Sequence, residues 1–541
     1  AITVTPALCS LMLSKEKMLR RQSQGTWVER NLQRLYTWTL QGVLKIPGVV
    51  VGLAVVLLAA SIWLATQLGR SFLPEFNEGS LVVSAVGLPG MSLEESNRSG
   101  ELVEDILLSL PEIQTVTRRT GRAEMDEHAQ GVNSAEIDAP FQLQNRSKEE
   151  FLAVAREQLS IVPGLNITIG QPIAHRIDHM LSGTRANIAI KIFGTDLSRL
   201  FTIGQNIQTQ IQGIPGLADI AVEQQIEVPQ IRIKPNRTML AKYGLTIQDF
   251  AEFIDVGFAG EVVSQVFEGQ RSFDLVVRLH PEFRNNMKAM ESALIDLPNG
   301  SKIPLGQIAE VQSISSPHTI NRENVQRKVV VSANVAGRDL RSTVNDIQAA
   351  IQENVQLPEG YRIEYGGQFE SEARATQLLL LASIFAILII FLLLYFEFQN
   401  TRLALIVLLN LPLALIGGIF IVYFTSGIVS IASTIGFISL FGIATRNGIL
   451  LISRFQALQD QDTVQSTRNI ILEGARDRLN PILMTTLTTA LALIPLALAA
   501  DESGNEIQSP MALVILGGLI SSTLLNLLVI PCVYLLWSRR S

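Results

Sequence analysis

The sequence is poor in the residues from which metal clusters, disulfide frameworks and many active sites are built. Its 541 residues include only two cysteines and five histidines. Cys9 and Cys532 stand at opposite ends of the chain and neither belongs to a CxxC pair, which excludes a cysteine zinc motif and a disulfide framework. The sequence also lacks a P-loop, a GxSxG element and an HExxH pattern. We therefore predict neither an enzyme nor a resident cofactor.

Charged and aromatic residues are also scarce. Charged residues make up 17% of the chain and aromatic residues 6%, and the net charge is −6 without a basic tract. Nucleic-acid binding is therefore not indicated. Hydrophobic residues reach 48%, and the mean hydropathy is +0.30. This balance is too apolar for an ordinary soluble enzyme and too charged for a purely membrane-embedded protein, so it predicts membrane helices joined to a large aqueous region.

Long hydrophobic runs provide those membrane helices. A stretch of about 20 apolar residues can cross a bilayer as a helix. Six stretches qualify, over residues 43–66, 378–396, 403–424, 428–452, 482–499 and 511–537. The first residues, 1–13, are typical of the end of a further span.

Basic residues in the short connecting segments predict the orientation of the chain. If the spans alternate in direction, the lysines and arginines of segments 15–45 and 454–478 and the final pair at 539–540 all fall on one side. Positive charge favours the cytoplasmic side. The large segment 67–377 is then exported.

Residues 18–40 form a separate polar segment before the first complete span. Trp27 and Trp38 lie among its basic residues. This pattern favours an amphipathic helix on the cytoplasmic membrane surface. A plain soluble linker is the alternative.

The exported segment alternates strand and helix patterns. Its first part reads "LVVSAVGLP", a helix, "IQTVTRRTG", "SAEIDAPFQL", a second helix and "LNITIGQPI". This βαββαβ order is that of a ferredoxin-like unit. Ser92, with Glu95 three residues later, is the predicted N-cap of the first helix.

A second unit of the same kind is predicted after the first. It begins with "ANIAIKIFG", a helix and "PQIRIKP", and it is completed by "RKVVVSANVAG", a helix and "YRIEYGG". The interruption, residues 236–323, predicts an inserted subdomain.

The order of these parts resembles one half of a resistance-nodulation-division (RND) efflux transporter. That family is an internal duplication of six spans with a large periplasmic loop after the first. The motifs that support the resemblance are "GIATRNGILLISRF", "RLNPILMTTLTTALALIPLAL" and "GGLISSTLLNLLVIPCVYLLW". The last, together with "GNEIQSPMALVILGG", resembles the heavy-metal efflux branch. "TPALCSLML" resembles the end of the sixth span and "IPCVYLLW" its counterpart in the twelfth.

The resemblance implies a membrane α-helical bundle plus an α+β periplasmic region. Residues 1–14 would end the sixth span, 15–42 would be the cytoplasmic surface helix and 43–66 the seventh span. The first porter subdomain would cover 67–186 and the second 187–235 with 324–376. The docking insertion would be 236–323, and spans eight to twelve would occupy 377–541.

Arg446 is the residue of most interest in the predicted spans. An ionisable side chain in mid-membrane is costly and marks an ion or proton path. An arginine cannot lose its proton, so it requires an anionic partner. The six spans contain no Asp or Glu at mid-depth. In the family, carboxylates on the fourth span titrate and pair with a cation on the tenth.

By resemblance, a proton relay would involve Arg446, Asn447, Arg478 and Thr485. Each has a simpler alternative. Arg446 could form a static salt bridge, Thr485 could bond to a helix carbonyl, and Arg478 could be a topology charge. Arginine at this position also departs from the lysine common in the drug-exporting branch and from the acidic residue of one metal branch.

Two clusters could contact a metal substrate in the exported segment. They are Glu124, Asp126, Glu127 and His128 in "AEMDEHAQG", and His175, Asp178, His179 and Met180 in "AHRIDHMLSG". Imidazole with carboxylate suits Zn, Co or Ni, whereas Cu(I) and Ag(I) favour several thioethers. In the family the second stretch falls near the substrate cleft. The alternative is that both are solvated loops or a structural turn.

The resemblance implies proton-driven efflux, with divalent heavy-metal cations as the favoured substrate, by the C-terminal half of an inner-membrane permease. The resemblance implies a homotrimer in membrane lipid, working with a periplasmic adaptor and an outer-membrane channel. Three alternatives stay open: efflux of organic solutes, a protein-export accessory, and a half-protein that assembles without transporting. The inserted subdomain argues against the second.

Overall fold

The structure is a computed structural model that describes Val4, Ala7 and residues 27–74, 76–121, 131–184, 186–461, 466–500 and 502–538. The predicted end of a sixth span, residues 1–14, lies outside the described residues apart from Val4 and Ala7. The first cluster of metal candidates, Glu124, Asp126, Glu127 and His128, lies outside them entirely.

The continuously described chain begins with an amphipathic helix that packs on the membrane bundle. The first elements are α1 (Trp27–Val43), α2 (Pro47–Ala65) and β1 (Gly69–Arg70). Tyr36 and Leu40 of α1 are buried, and the Tyr36 hydroxyl donates to the carbonyl of Leu527 (2.8 Å). Trp27 and Trp38 are exposed. The predicted helix is therefore present, and its position on a membrane surface stays a prediction.

The first part of the large segment has the predicted βαββαβ order. Its elements are β2 (Ser80–Gly87), α3 (Leu93–Ser109), β3 (Thr117–Thr120), β4 (Ser134–Pro140), α4 (Lys148–Leu159) and β5 (Leu165–Gly170). The strands form an antiparallel sheet in the order β3-β4-β2-β5. Ser92 caps α3, because its hydroxyl accepts from the backbone N–H of Glu95 (3.2 Å). Ser147 and Glu150 form a capping box at the start of α4.

A short helix connects this sheet to the next. The elements that follow are α5 (Pro172–Ser182), β6 (Ile188–Gly194), α6 (Leu197–Ile211), β7 (Leu217–Val222) and β8 (Glu227–Pro235). Gly183 ends α5 at φ +71°, a left-handed conformation that favours glycine.

The strand "PQIRIKP" was expected in the second sheet, and the structure places it elsewhere. It lies in β8, which pairs with a strand at the far end of the insertion. The short strand β7 takes the position in the second sheet that was expected for β8, where it pairs with the strand of residues 326–335. Its apolar side chains pack on the second core, whereas most residues of β8 are exposed.

The insertion forms its own small core. Its elements are α7 (Arg237–Tyr243), α8 (Ile247–Ile254), β9 (Glu261–Glu268), β10 (Arg271–Val277), α9 (Met287–Ser292), β11 (Leu294–Asp296), β12 (Lys302–Pro304) and β13 (Ala309–Pro317). The β8–β13 ribbon connects it to the second sheet, and β9–β10 is an exposed hairpin. Leu240, Phe250 and Leu305 contribute to the core.

The second sheet is completed after the insertion. The remaining elements are β14 (Arg322–Glu323), β15 (Gln326–Val335), α10 (Leu340–Asn354) and β16 (Arg362–Gly367). The principal strands lie in the order β7-β15-β6-β16, and α6 and α10 pack on this sheet. Its strand order therefore matches that of the first sheet.

Six described helices are long and apolar enough to cross a membrane, as the hydrophobic runs predicted. In addition to α2 they are α11 (Gln368–Phe398), the pair α12 (Thr401–Leu408) and α13 (Asn410–Phe424), α14 (Ile431–Gln461), α15 (Thr467–Leu498) and α16 (Gln508–Ser538). The short strand β17 (Ile428–Val429) pairs with β1 beside the bundle.

Helix α16 is the most buried of these spans. It approaches α13 closely, because a Cβ atom at Gly417 would lie 2.0 Å from the carbonyl oxygen of Gly517. Small residues permit such close helix contacts in membranes. By contrast, α11 and α15 are largely exposed along their apolar length.

Candidate functional site

Arg446 lies at the middle of α14, with its side chain exposed on the outside of this bundle. No residue that the structure describes forms a hydrogen bond or ion pair with it. The next residue, Asn447, is buried, about 100° around the helix axis from Arg446. The guanidinium therefore faces away from the core formed by this chain.

Acidic residues occur only toward the ends of the described spans. Glu370, Glu372 and Glu397 lie near the ends of α11, and Asp460 is next to the last residue of α14. Glu473 and Asp477 lie in the first third of α15. These positions agree with the expectation that the described spans offer no carboxylate at mid-depth.

The other predicted relay residues have local surroundings. The Thr485 hydroxyl donates to the carbonyl of Ile482 (2.9 Å), which is the helix back-bond expected as the simpler alternative. Arg478 is half-buried, and its Nε atom has no hydrogen-bond partner among the described residues. Among the residues that the structure describes, no hydrogen bond or ion pair joins any two of the four predicted relay residues, Arg446, Asn447, Arg478 and Thr485.

The second metal-candidate cluster is divided by the geometry of α5. His175 and Asp178, one turn apart, are buried on one face. His179 is half-buried, and Met180 is 73% exposed. Among the described residues, no three His, Cys, Asp or Glu side chains are grouped closely enough to hold a metal ion.

Asp178 occupies a polar junction between the two sheets and the membrane bundle. The Gln368 Nε2 atom donates to its Oδ1 (2.7 Å), and the Asn187 Nδ2 atom donates to its Oδ2 (3.0 Å). Burial raises the pKa of Asp178 to about 6, although both hydrogen bonds act in the opposite direction. Because Gln368 is the first residue of α11, this carboxylate binds the start of a membrane helix.

A cavity of about 410 Å³ adjoins this junction. His175 and Asp178 form part of its wall, together with Lys148, Arg156 and Arg338. Each cation is already paired: Lys148 donates to a carbonyl, Arg156 contacts a carboxylate of the second sheet, and Arg338 contacts one on α10. These three cations of the wall are therefore already held by partners within this chain.

Asp219 bridges the two sheets beside Arg156. Its carboxylate pairs with the Nε atom of Arg156 (3.1 Å) and accepts from the Nδ2 atom of Asn334 (2.9 Å). Its backbone has φ +51°, which is uncommon for a residue other than glycine. Sequence patterns did not identify Asp219, Asn187 or Gln368, because their partners lie on other elements of the fold.

Comparison with known proteins identifies relatives over almost the whole chain. The model of the AcrB/AcrD/AcrF family matches residues 1–538. The cobalt-zinc-cadmium resistance protein CzcA of Cupriavidus metallidurans is 34% identical over 552 residues, which cover 100% of this chain and 51% of that protein. The nickel and cobalt resistance protein CnrA of the same organism is 32% identical, with 98% and 50% covered.

A solved structure agrees with the sequence comparison. The chain superposes on the crystal structure of a heavy metal efflux pump with a TM-score of 0.79 and 28% identity, covering 95% of this chain and 53% of the other. The chain spans about half the length of the curated relatives that it matches.

Proposed function

Because the chain belongs to the AcrB/AcrD/AcrF family of RND transporters, we propose that it performs the role of the C-terminal half of an inner-membrane permease. This permease would export divalent heavy-metal cations and admit protons in exchange. The observation that supports the proposal most directly is the position of Arg446, a permanent cation at mid-span that faces away from its own bundle.

The proton step follows from the chemistry of Arg446. A guanidinium in an apolar setting needs an anion, and the described spans provide none at that depth. Carboxylates on a neighbouring six-span bundle would supply it and would hold Arg446 through charge-assisted hydrogen bonds. Protonation of those carboxylates removes the attraction, and proton release restores it. Asn447, Arg478 and Thr485 are the proposed polar neighbours of this exchange.

The helix α11 offers a route from the membrane to the cleft. It is continuous from Gln368 to Phe398, and Gln368 binds Asp178 beside the cavity. A shift of α11 within the bundle would therefore act directly on the wall of the cavity. Residues 67–186 and 187–235 with 324–376 are the proposed porter subdomains that move.

Two of the proposed substrate contacts line the cavity, two lie farther along the same helix, and four lie outside the described residues. They are His175, Asp178, His179 and Met180, with Glu124, Asp126, Glu127 and His128. Their nitrogen and oxygen donors suit zinc, cobalt and nickel better than copper or silver. The names of the relatives CzcA and CnrA agree with this class of substrate. Organic solutes remain the second candidate, because the cavity also has an apolar wall.

The proposed assembly is a homotrimer in the inner membrane. The large segment would lie in the periplasm, where a periplasmic adaptor and an outer-membrane channel would bind. The insertion 236–323 would contribute to the docking face.

Replacement of Arg446 in the full-length permease tests the proposal. In proteoliposomes with a pH gradient, Arg446→Leu should abolish metal-dependent proton movement, while size-exclusion chromatography should still show an intact trimer. Arg454→Leu is the matched control, because Arg454 lies closer to the C-terminal end of the same helix and pairs with Asp477 (2.6 Å). Undiminished transport by Arg446→Leu would refute the assigned role.

The substrate class has its own test. Cells that depend on the full-length permease should tolerate zinc, cobalt or nickel, and its deletion should sensitise them. Sensitivity to dyes or detergents alone would favour the organic-solute alternative.

A further inference from the structure

Three asparagines lie inside the membrane bundle with unsatisfied amide groups. Asn410, Asn447 and Asn526 are exposed by 0%, 1% and 0%. The Oδ1 atom of Asn410 and both amide atoms of Asn447 and of Asn526 have no hydrogen-bond partner among the described residues. Buried polar side chains normally have such partners, so these five atoms require an explanation.

The contacts of α14 with α16 place two of these amides at one depth. Leu440 of α14 packs on Gly518 of α16, where an added Cβ atom would lie 2.0 Å from the leucine. An earlier contact, between Gly436 and Met511, shows that the two helices run in the same direction. Asn447 follows Leu440 by seven residues and Asn526 follows Gly518 by eight, so both lie about two turns farther along.

Asn410 reaches the same level from α13. Its Nδ2 atom lies against Gly448, the residue after Asn447, because a Cβ atom at Gly448 would be 2.1 Å away from it. The same Nδ2 atom donates to the carbonyl of Val407 (3.0 Å), which leaves the amide oxygen available. Three helices therefore contribute one amide each to the same layer of the bundle.

The chemistry of this layer favours water as the occupant. The five atoms are enclosed by this chain, so a side chain of another polypeptide cannot reach them without opening the bundle. They include both donors and acceptors, and water can satisfy both kinds at once. A metal cation would meet the N–H donors and the nearby positive charge of Arg446, which disfavours it.

We propose that Asn410, Asn447 and Asn526 form an internal hydration site, whose bound water connects the three amides. Since Asn447 is adjacent to Arg446, this water would also extend the polar path of the proton exchange into the present bundle. That second statement rests on the proposed function, whereas the hydration site itself does not.

X-ray hydroxyl-radical labelling of the full-length protein in nanodiscs tests the site, because radicals form from bound water and oxidise adjacent side chains. Val407, whose Cγ1 atom lies beside Gly448 together with the Asn410 amide, should be labelled well above Ile471, which is equally buried in the same apolar cluster. The double variant Asn447→Leu with Asn526→Leu should lose that labelling. Ser522→Ala should retain it, because this buried hydroxyl already donates to the carbonyl of Leu519 (3.2 Å).

Labelling of wild-type Val407 no higher than that of Ile471 would overturn the hydration site, and this result needs no variant to fold. Labelling that persists in the double variant would overturn it as well. If labelling occurs as expected but the wild-type protein moves no protons, the site stands and the proposed function fails. If the double variant loses labelling yet keeps full proton coupling, the extension of the proton path is refuted.

Discussion

Asp178 should make the junction between α5 and α11 sensitive to pH. Burial raises its pKa from 3.8 to about 6 in the folded protein. A raised pKa means that folding disfavours the charged carboxylate, so the junction is most stable at low pH. Its stability is lost as the pH rises from 3.8 through about 6.

The size of this effect follows from the two pKa values. The complete titration corresponds to roughly 3 kcal/mol. Between pH 5 and pH 8 the remaining change is roughly 1.5 kcal/mol, or about tenfold in a local opening equilibrium. Because Asp178 is 3% exposed, solvent provides little screening of this penalty.

Hydrogen exchange measured by mass spectrometry can detect this change. Peptides that cover α5 and the first turn of α11 should show about tenfold lower protection at pH 8 than at pH 5, after correction for intrinsic exchange rates. Asp178→Asn should abolish the difference, because the amides of Gln368 and Asn187 can rotate to bond with a neutral partner. Asp346→Asn, at a half-exposed ion pair on α10, should leave the difference unchanged.

Two results would refute this reasoning. One is equal protection of the wild-type junction at the two pH values. The other is a pH dependence that persists in Asp178→Asn, which would assign it to another titratable group.

Three further changes test other parts of the structure. Mutation of Arg156 and Asp219 to alanine, singly and together, should give a coupling energy of about 0.5–3 kcal/mol in a thermal-unfolding cycle, and additive effects would contradict their pairing (3.1 Å). Gly417→Val should lower the melting temperature of the purified protein, because a side chain there meets the backbone of α16, whereas Gly52→Ala in α2, where an added Cβ atom meets nothing within 4 Å, should not. Ser147→Ala should reduce amide protection in the first turn of α4 by about 1 kcal/mol, and unchanged protection would show that the capping box contributes nothing.

Much of the architecture could be predicted from local patterns. Apolar runs located all six described spans, because transfer of a helix into a bilayer depends on its own composition. The cap at Ser92 and the order of strands and helices were also predictable from nearby residues. The strand that follows α6 in the second sheet could not be predicted in this way. The prediction overlooked β7 and assigned β8 to the wrong sheet, because strand pairing depends on residues that are distant in the chain.

The candidate site was likewise only partly predictable from the sequence. Arg446 stood out because a charge within an apolar run is costly whatever surrounds it. Its outward orientation could not be derived from the sequence, since that depends on which face of α14 packs against α13 and α16. Nor could the separation of Met180 from His175 be predicted.

The sequence alone therefore determined where the spans lie and that one of them contains an arginine, Arg446, at mid-depth. It also predicted the orientation of the spans. Only the tertiary structure decided that Gln368, 190 residues away, binds Asp178 and that three distant asparagines share one layer. The physical reason is that hydropathy and helix capping act over a few residues, whereas a buried polar contact requires the whole chain to bring its partners together.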